Sequence, residues 1–394
     1  MDIHLHTSAN SVDSKQWKGV GKEHNPFLSF SFKQALEKNH TENIKHLYYV
    51  VDDKNNKVIG YAQQFNLGGR KISSYQKRNK VNKGLVSFLL GLLRLNVVVI
   101  GNGLITNVNN ISADRIENKN EFVKGLLKKI RLTSCVNKFI IPDHFFTHLD
   151  IANPADEFPK LIKVEIEEDM QLPLLSEWKS FEDYTNSLKK KYRSRLRGVM
   201  KKSEDINIIQ LTKEDLIQYE GEIQTLFENV KKNSSFGALT FNSRVFKDLI
   251  PLDCPKSKVY GLFLDKKLIG FSSELMANNN LYSYFIGLDY KYNQEYRLYE
   301  RILNESIKHG IESRSNRVIF GRTAAEFKSN VGAVPMKSYI YIYLHNPLLR
   351  WVLRPLLNAI KPKKWTQRHP FKAFSAELRQ PQTLSPKSGT TLPL

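Results

Sequence analysis

The sequence predicts an α/β protein of two tandem lobes, each built on a mixed sheet with a crossover helix. Three observations lead there. A hairpin pattern occurs twice, at His46–Phe65 (HLYYVVDDKNNKVIGYAQQF) and at Lys258–Leu275 (KVYGLFLDKKLIGFSSEL). The same strand–helix–strand order follows each hairpin, which calls for a crossover and hence a mixed sheet. The length of 394 residues, 41% of them hydrophobic, exceeds what one ordinary core needs.

In each hairpin a β-rich run leads into a charged turn and a second β-rich run with Ile-Gly-aromatic: Ile59-Gly60-Tyr61 and Ile269-Gly270-Phe271. Asp52 to Asn56 and Asp265-Lys266-Lys267 supply the turn chemistry. After the first hairpin the pattern gives a strand over 96–100, a helix over 121–130 and a strand over 138–141. After the second it gives a strand over 281–287, a helix over 295–309 and a strand over 317–320. In that helix Leu298, Ile302, Leu303 and Ile307 make one apolar face. A strand over 206–211 opens the second lobe, a helix over 213–230 capped by Thr212 follows, and a strand pair over 336–344 closes it. Ser180, with Asp183 at the third position, starts a helix that runs on through Leu188 into Lys189–Lys202. The chain thus divides into an N-terminal lobe (1–175), a basic helical connector (176–205), a C-terminal lobe (206–345), a basic amphipathic segment (346–374) and a tail over 375–394 that reads as disordered.

The net charge of +21 favours polyanionic partners such as nucleic acid, phosphorylated cofactors, acidic carrier proteins or anionic membrane. Cys135 and Cys254 make no CxxC unit, so neither a disulfide framework nor a zinc site is implied. The first residues lack an apolar stretch of signal-peptide type, and the run from Gly84 to Ile100 is interrupted by Arg94 and Asn96. A cytoplasmic protein is expected. The apolar Leu85–Leu93 run and the Trp351–Trp365 segment point to peripheral contact with the inner face of the membrane, or else to packing between lobes. Asp143-His144-x-x-x-His148 has helical metal-ligand spacing, but Pro142, Phe145 and Phe146 read as a loop and no further ligand stands nearby, so no metal is expected.

The element order resembles the GNAT (acyl-CoA N-acyltransferase) fold, and its tandem repetition resembles the Fem-like peptidoglycan-bridge and N-acyltransferase family. The motifs agree over roughly residues 176 to 340. Trp178-Lys-Ser-Phe181, followed by Lys190-Lys-Tyr-Arg-Ser-Arg-Leu-Arg197, is similar to that family's entry helix. Tyr284-Phe-Ile-Gly-Leu-Asp289, then Ile319-Phe-Gly-Arg322, then Glu326-Phe-Lys328 and Gly332-Ala333, is similar to its later stretches. There are departures. Ile319 stands where the family often has Asp. The segment Asp289–Arg297, where GNAT enzymes carry a glycine-rich loop for the coenzyme A pyrophosphate, has no glycine. The resemblance implies an acyltransferase of cell-envelope or lipid biosynthesis, with acyl-CoA, acyl carrier protein or aminoacyl-tRNA as donor and a small-molecule or lipid-linked amine as acceptor.

Amide formation needs a base, a polarised carbonyl and a held leaving group. Glu274, with Tyr284 across from it, suits a base acting through water, and Glu326 is a further acid near the strand ends. Asp289, Gly321, Arg322 and Lys328 cluster at the expected donor crevice, where the fourth and fifth strands of the lobe separate. Arg322 suits a phosphate or carboxylate. Lys189–Lys202 holds eight cations and no acid, so Lys191, Arg193 and Arg195 are expected to meet a bound polyanion. The alternative to an enzyme is a non-catalytic GNAT-like module docking on membrane or cell-wall precursor.

Overall fold

The computed structural model describes residues 1–18, 25–53, 56–67, 95–112, 116–233 and 241–372. The expected Leu85–Leu93 contact and the 375–394 tail lie outside these residues. Among the described residues, twelve strands run in chain order: β1 (Asp2–His6), β2 (Ile44–Asp53), β3 (Asn56–Leu67), β4 (Leu95–Ile100), β5 (Lys138–Pro142), β6 (Leu161–Pro173), β7 (Asn207–Gln210), β8 (Lys256–Leu264), β9 (Lys267–Ala277), β10 (Asn280–Leu288), β11 (Arg317–Gly321) and β12 (Val334–Leu344). The helices that matter below are α1 (Phe30–Lys38), α2 (Lys119–Ser134), α3 (Asp143–His148), α4 (Phe181–Ser187), α5 (Lys190–Lys202), α6 (Glu220–Asn233), α7 (Tyr290–Tyr296), α8 (Leu298–Glu312), α9 (Ala325–Asn330) and α10 (Pro347–Asn358).

The two tandem lobes are present, and their mixed sheets are joined into one, ordered β1-β2-β3-β4-β5-β12-β6-β11-β10-β9-β8-β7. In the first half β1 to β4 pair antiparallel and α2 crosses over to a parallel β5. In the second half β7 to β10 pair antiparallel and α8 crosses over to a parallel β11. Each half then takes its sixth strand from the other. β12, late in the chain, pairs with β5, and β6, from the first half, pairs with β11. The two exchanged strands bond to each other from Val334↔Gln171 to Tyr343↔Leu161 and so weld the lobes together.

Both hairpins form where the repeat predicts. Gly60 is required there: a Cβ would sit 2.0 Å from Tyr49 Cζ, because that fully buried ring lies across the opposite strand. The apolar face expected of α8 is buried, with Leu298, Ile302, Leu303 and Ile307 at most 3% exposed. Loop residues Ile105 and Val108 and Phe27 from the first half share a core with Phe271, Tyr282 and Ile319 of the second.

Several expectations are corrected. Strand β6 has no counterpart in the sequence reading, although Ile162, Val164 and Ile166 alternate with charged residues along it. The expected strand pair over 336–344 is one long strand. The helix from Ser180 breaks at Leu188, which is extended, buried and bridged to Phe371, while Lys189 N–H donates to Pro370 at 2.8 Å. The helix over 213–230 breaks at Tyr219, giving a short helix and then α6. Asp143–His148 is a short helix, not a loop, its first turn carrying Asp143.

Candidate functional site

The parallel ladder between β10 and β11 holds only from Asn280↔Arg317 to Tyr282↔Ile319. Beyond it the strands separate, since β10 carries a bulge between Ser283 and Ile286. Ser273 Oγ fixes that bulge, donating to the Phe285 carbonyl and accepting its N–H, both at 2.9 Å. β11 ends in a tight loop, Gly321 to Ala324. Gly321 (φ +73°), Thr323 (φ +70°) and Ala324 (φ +50°) are left-handed. That conformation is ordinary for glycine and costs about 1 kcal/mol or more for the other two. Strain of this kind persists only where neighbouring groups over-determine it.

Lys328 is that neighbour. It is 4% exposed, on α9, and its ammonium donates to the carbonyls of Phe320 (2.8 Å), Gly321 (3.0 Å) and Arg322 (2.7 Å). Burial pushes its pKa down to about 8, against the pull of Asp169 and Glu167. All three donors of the ammonium are used, so Lys328 is a positioning residue that cannot also grip a ligand without releasing the loop.

The loop presents Arg322. The residue is half-buried, and its Nε is buried without a hydrogen-bond partner. Burial lowers its pKa, and the carboxylates of Asp169, Asp143 and Glu167 oppose that shift. Asp169 sits on β6 with no exposure and accepts from Thr106 Oγ (3.2 Å), Gln171 Nε2 (2.9 Å) and Asn107 Nδ2. Asp143 accepts from its neighbour His144 N–H and from Tyr339 N–H of β12, both at 2.8 Å. Burial raises the pKa of both acids, and Arg322 is among the groups that hold them down. Burial also lowers His144 to about 3, with His148 and Arg322 adding to the effect, so its imidazole is neutral at pH 7. The charges of one cation and two carboxylates thus act on one another where the second lobe's strand end faces the first lobe's loop and α3. Among the described residues no group of three His, Cys, Asp or Glu is arranged to hold a metal ion.

Of the residues singled out in the sequence, the structure brings together Gly321, Arg322 and Lys328. Glu326 stays outside, exposed and ion-paired with Arg368. Glu274 is 1% exposed and bonds His309 Nδ1 on α8 at 3.0 Å; that imidazole stacks on Tyr260 at 4.3 Å. Tyr284 is not its partner: the register places Ser283 opposite Glu274, so period-2 alternation sends Tyr284 to the other face, against Phe241 and Phe285. Its buried hydroxyl has no hydrogen-bond partner. Asp289 lies at the far end of β10, capping α7 by accepting from Lys291 N–H at 3.1 Å. The expected loop after Asp289 is that helix, and the Asp289 carboxylate occupies its N-terminus. On α5, Arg195 is committed to Glu300 at 2.6 Å, whereas Lys191 is exposed and Arg193 half-buried.

Asp169, Thr106 and Asn107 carry no sequence signal that ties them to Arg322. A buried polar group in the first lobe is equally silent. Lys33 of α1, with no exposure, donates to Asn110 at 3.0 Å and lies 3.4 Å above the Tyr61 ring, whose hydroxyl bonds His46 Nδ1 at 2.6 Å.

No family model matches the chain, and no curated protein matches it. Among solved structures, FemX aligns over 90% of this chain and 100% of its own, with a TM-score of 0.51 at 11% identity. A C-terminal domain from Agrobacterium fabrum assigned to a lysylphosphatidylglycerol synthetase aligns over 88% of this chain and 95% of its own, with a TM-score of 0.46 at 10% identity. A tandem GNAT protein from the clavulanic acid biosynthesis pathway aligns over 88% of this chain and 99% of its own, with a TM-score of 0.46 at 8% identity. The FemX likeness, at that identity, shows the fold alone.

Proposed function

We propose, with the Fem-like tandem fold as premise, that this chain transfers an acyl or aminoacyl group from an activated ester or thioester to a primary amine. The observation that carries the reading is Arg322: a guanidinium with an unpartnered buried Nε, presented by a strained loop at the separated strand ends and faced by two carboxylates. In this reading the amine nitrogen attacks the donor carbonyl carbon, and Arg322 stabilises the negative charge that develops on the carbonyl oxygen. Asp143, whose pKa burial raises, takes the proton from the amine, and collapse of the intermediate expels the alkoxide or thiolate, which takes up that proton. Asp169, held in place by three side-chain donors, sets a fixed negative charge near Arg322 without reacting.

The donor favoured is a carrier-borne group, an acyl carrier protein or a charged tRNA, over coenzyme A. The Asp289 carboxylate at the start of α7 repels a pyrophosphate, and the cations of α5 suit a larger polyanion. The acceptor class is a small or lipid-linked amine of cell-envelope or lipid biosynthesis, reached from the inner face of the membrane. The test incubates the purified protein with labelled amine pools and, separately, acyl-CoA, acyl carrier protein and aminoacyl-tRNA, followed by mass spectrometry. Product from a carrier-borne donor, lost in Arg322→Ala, is expected. Binding of these molecules without product from any donor would favour a docking module instead.

A further inference from the structure

Helix α10 is covered on one side only. Leu349, Leu353 and Leu357 pack on Ile162, Val164 and Leu344 of the β6–β12 ladder. The opposite face is apolar as well: Leu348 is 68% exposed, Trp351 76% and Val352 47%. A surface helix ordinarily turns polar residues outward, so two apolar faces call for a second apolar environment. The other tryptophans behave differently. Trp17 and Trp178 are 6% exposed, and Trp365 is half-buried and donates to Glu168 at 3.2 Å.

The charges along this stretch of chain share one sign. From residue 347 to 364 the chain holds Arg350, Arg354, Lys361, Lys363 and Lys364 and no acid. At about 100° per residue, Leu348 and Val352 fall on one side of Trp351, and Arg354 and Arg350 on the other. An apolar stripe therefore runs beside a cationic one. The helix has 12 residues, about 18 Å in length, so it is too short to cross a bilayer and long enough to lie in one.

We propose that this face of α10 docks the protein on an anionic lipid bilayer, with Leu348, Trp351 and Val352 at the acyl boundary and the cations against the headgroups. A second copy of the chain would set the same five cations against each other with no acid between them, which disfavours self-association. The inference rests on α10 alone and is independent of the transferase reading.

The test is flotation of the full chain with vesicles of pure phosphatidylcholine and with vesicles containing about 30% phosphatidylglycerol. Binding to the anionic vesicles only, weakened by added salt, is expected. The double change Trp351→Ser and Val352→Ser should lower partitioning about tenfold or more, and Arg354→Ser or Lys363→Ser about fivefold each. Because these side chains are exposed, unchanged thermal melting verifies that the variants fold. Equal flotation by the double variant would overturn the proposal. So would a chromatographic dimer that the double variant dissolves, which assigns the face to a second copy, or no flotation on either vesicle, which assigns it to a protein partner.

Discussion

Replacing Lys328 by Met removes the group that holds the Arg322 loop while keeping the volume of the buried stem. Three hydrogen bonds from a charged donor are lost, and the carbonyls of Phe320, Gly321 and Arg322 lose their partner. Breaking a buried charged interaction of this kind from one side costs about 3–5 kcal/mol. Opposed to this is the ammonium's desolvation, visible in a pKa pushed from 10.5 down to about 8. The sign follows from that direction. Between pH 8 and 10.5 the unfolded chain keeps a proton on Lys328 that the folded chain has released, so stability from this group rises with pH across the window. Its full extent is roughly 3 kcal/mol at 1.36 kcal/mol per pH unit. Urea unfolding of the native chain and of Lys328→Met, compared at pH 7 and pH 10.5, reads both quantities. The variant should be less stable at pH 7, and the gap should widen toward pH 10.5. A loss under about 1 kcal/mol at pH 10.5, or a gap that narrows with rising pH, would refute the role given to Lys328.

Arg322→Ala should abolish transfer while circular dichroism shows the fold retained, and Arg322→Lys should not rescue it, since an ammonium cannot reproduce the guanidinium fork; turnover within threefold of native would remove Arg322 from the site. Gly60→Ala should destabilise the first hairpin by about 3 kcal/mol, because the new methyl overlaps the Tyr49 ring; chemical denaturation measures it. The combined change of Lys190, Lys191 and Arg193 to Ser should weaken carrier binding and flatten its salt dependence without affecting stability, as read by titration at two ionic strengths. Arg195→Ser, by contrast, should lower stability by about 1 kcal/mol through the half-exposed Glu300 pair, as read by thermal unfolding.

The repeated hairpins and crossover helices were legible in the sequence because alternation, turn chemistry and helical spacing are local signals. Gly60, the α8 face and the Gly321-Arg322…Lys328 motif were readable for the same reason. Register is not local. A single step of pairing put Ser283 opposite Glu274 and sent Tyr284 to the opposite face, and the exposed pairing with Arg368 drew Glu326 away from the strand ends. The carboxylates whose charges act on Arg322 come from β6 and from α3, more than 150 residues earlier in the chain. What the sequence alone determined is two copies of one αβ pattern and the residues at the second copy's strand ends. What only the tertiary structure decided is the exchange of β6 and β12 between the halves, because backbone pairing of distant strands follows from which edges meet, and no residue spacing records that. That exchange carries Asp169 into the second lobe and sets Tyr339 beside Asp143, and with them the electrostatics around Arg322.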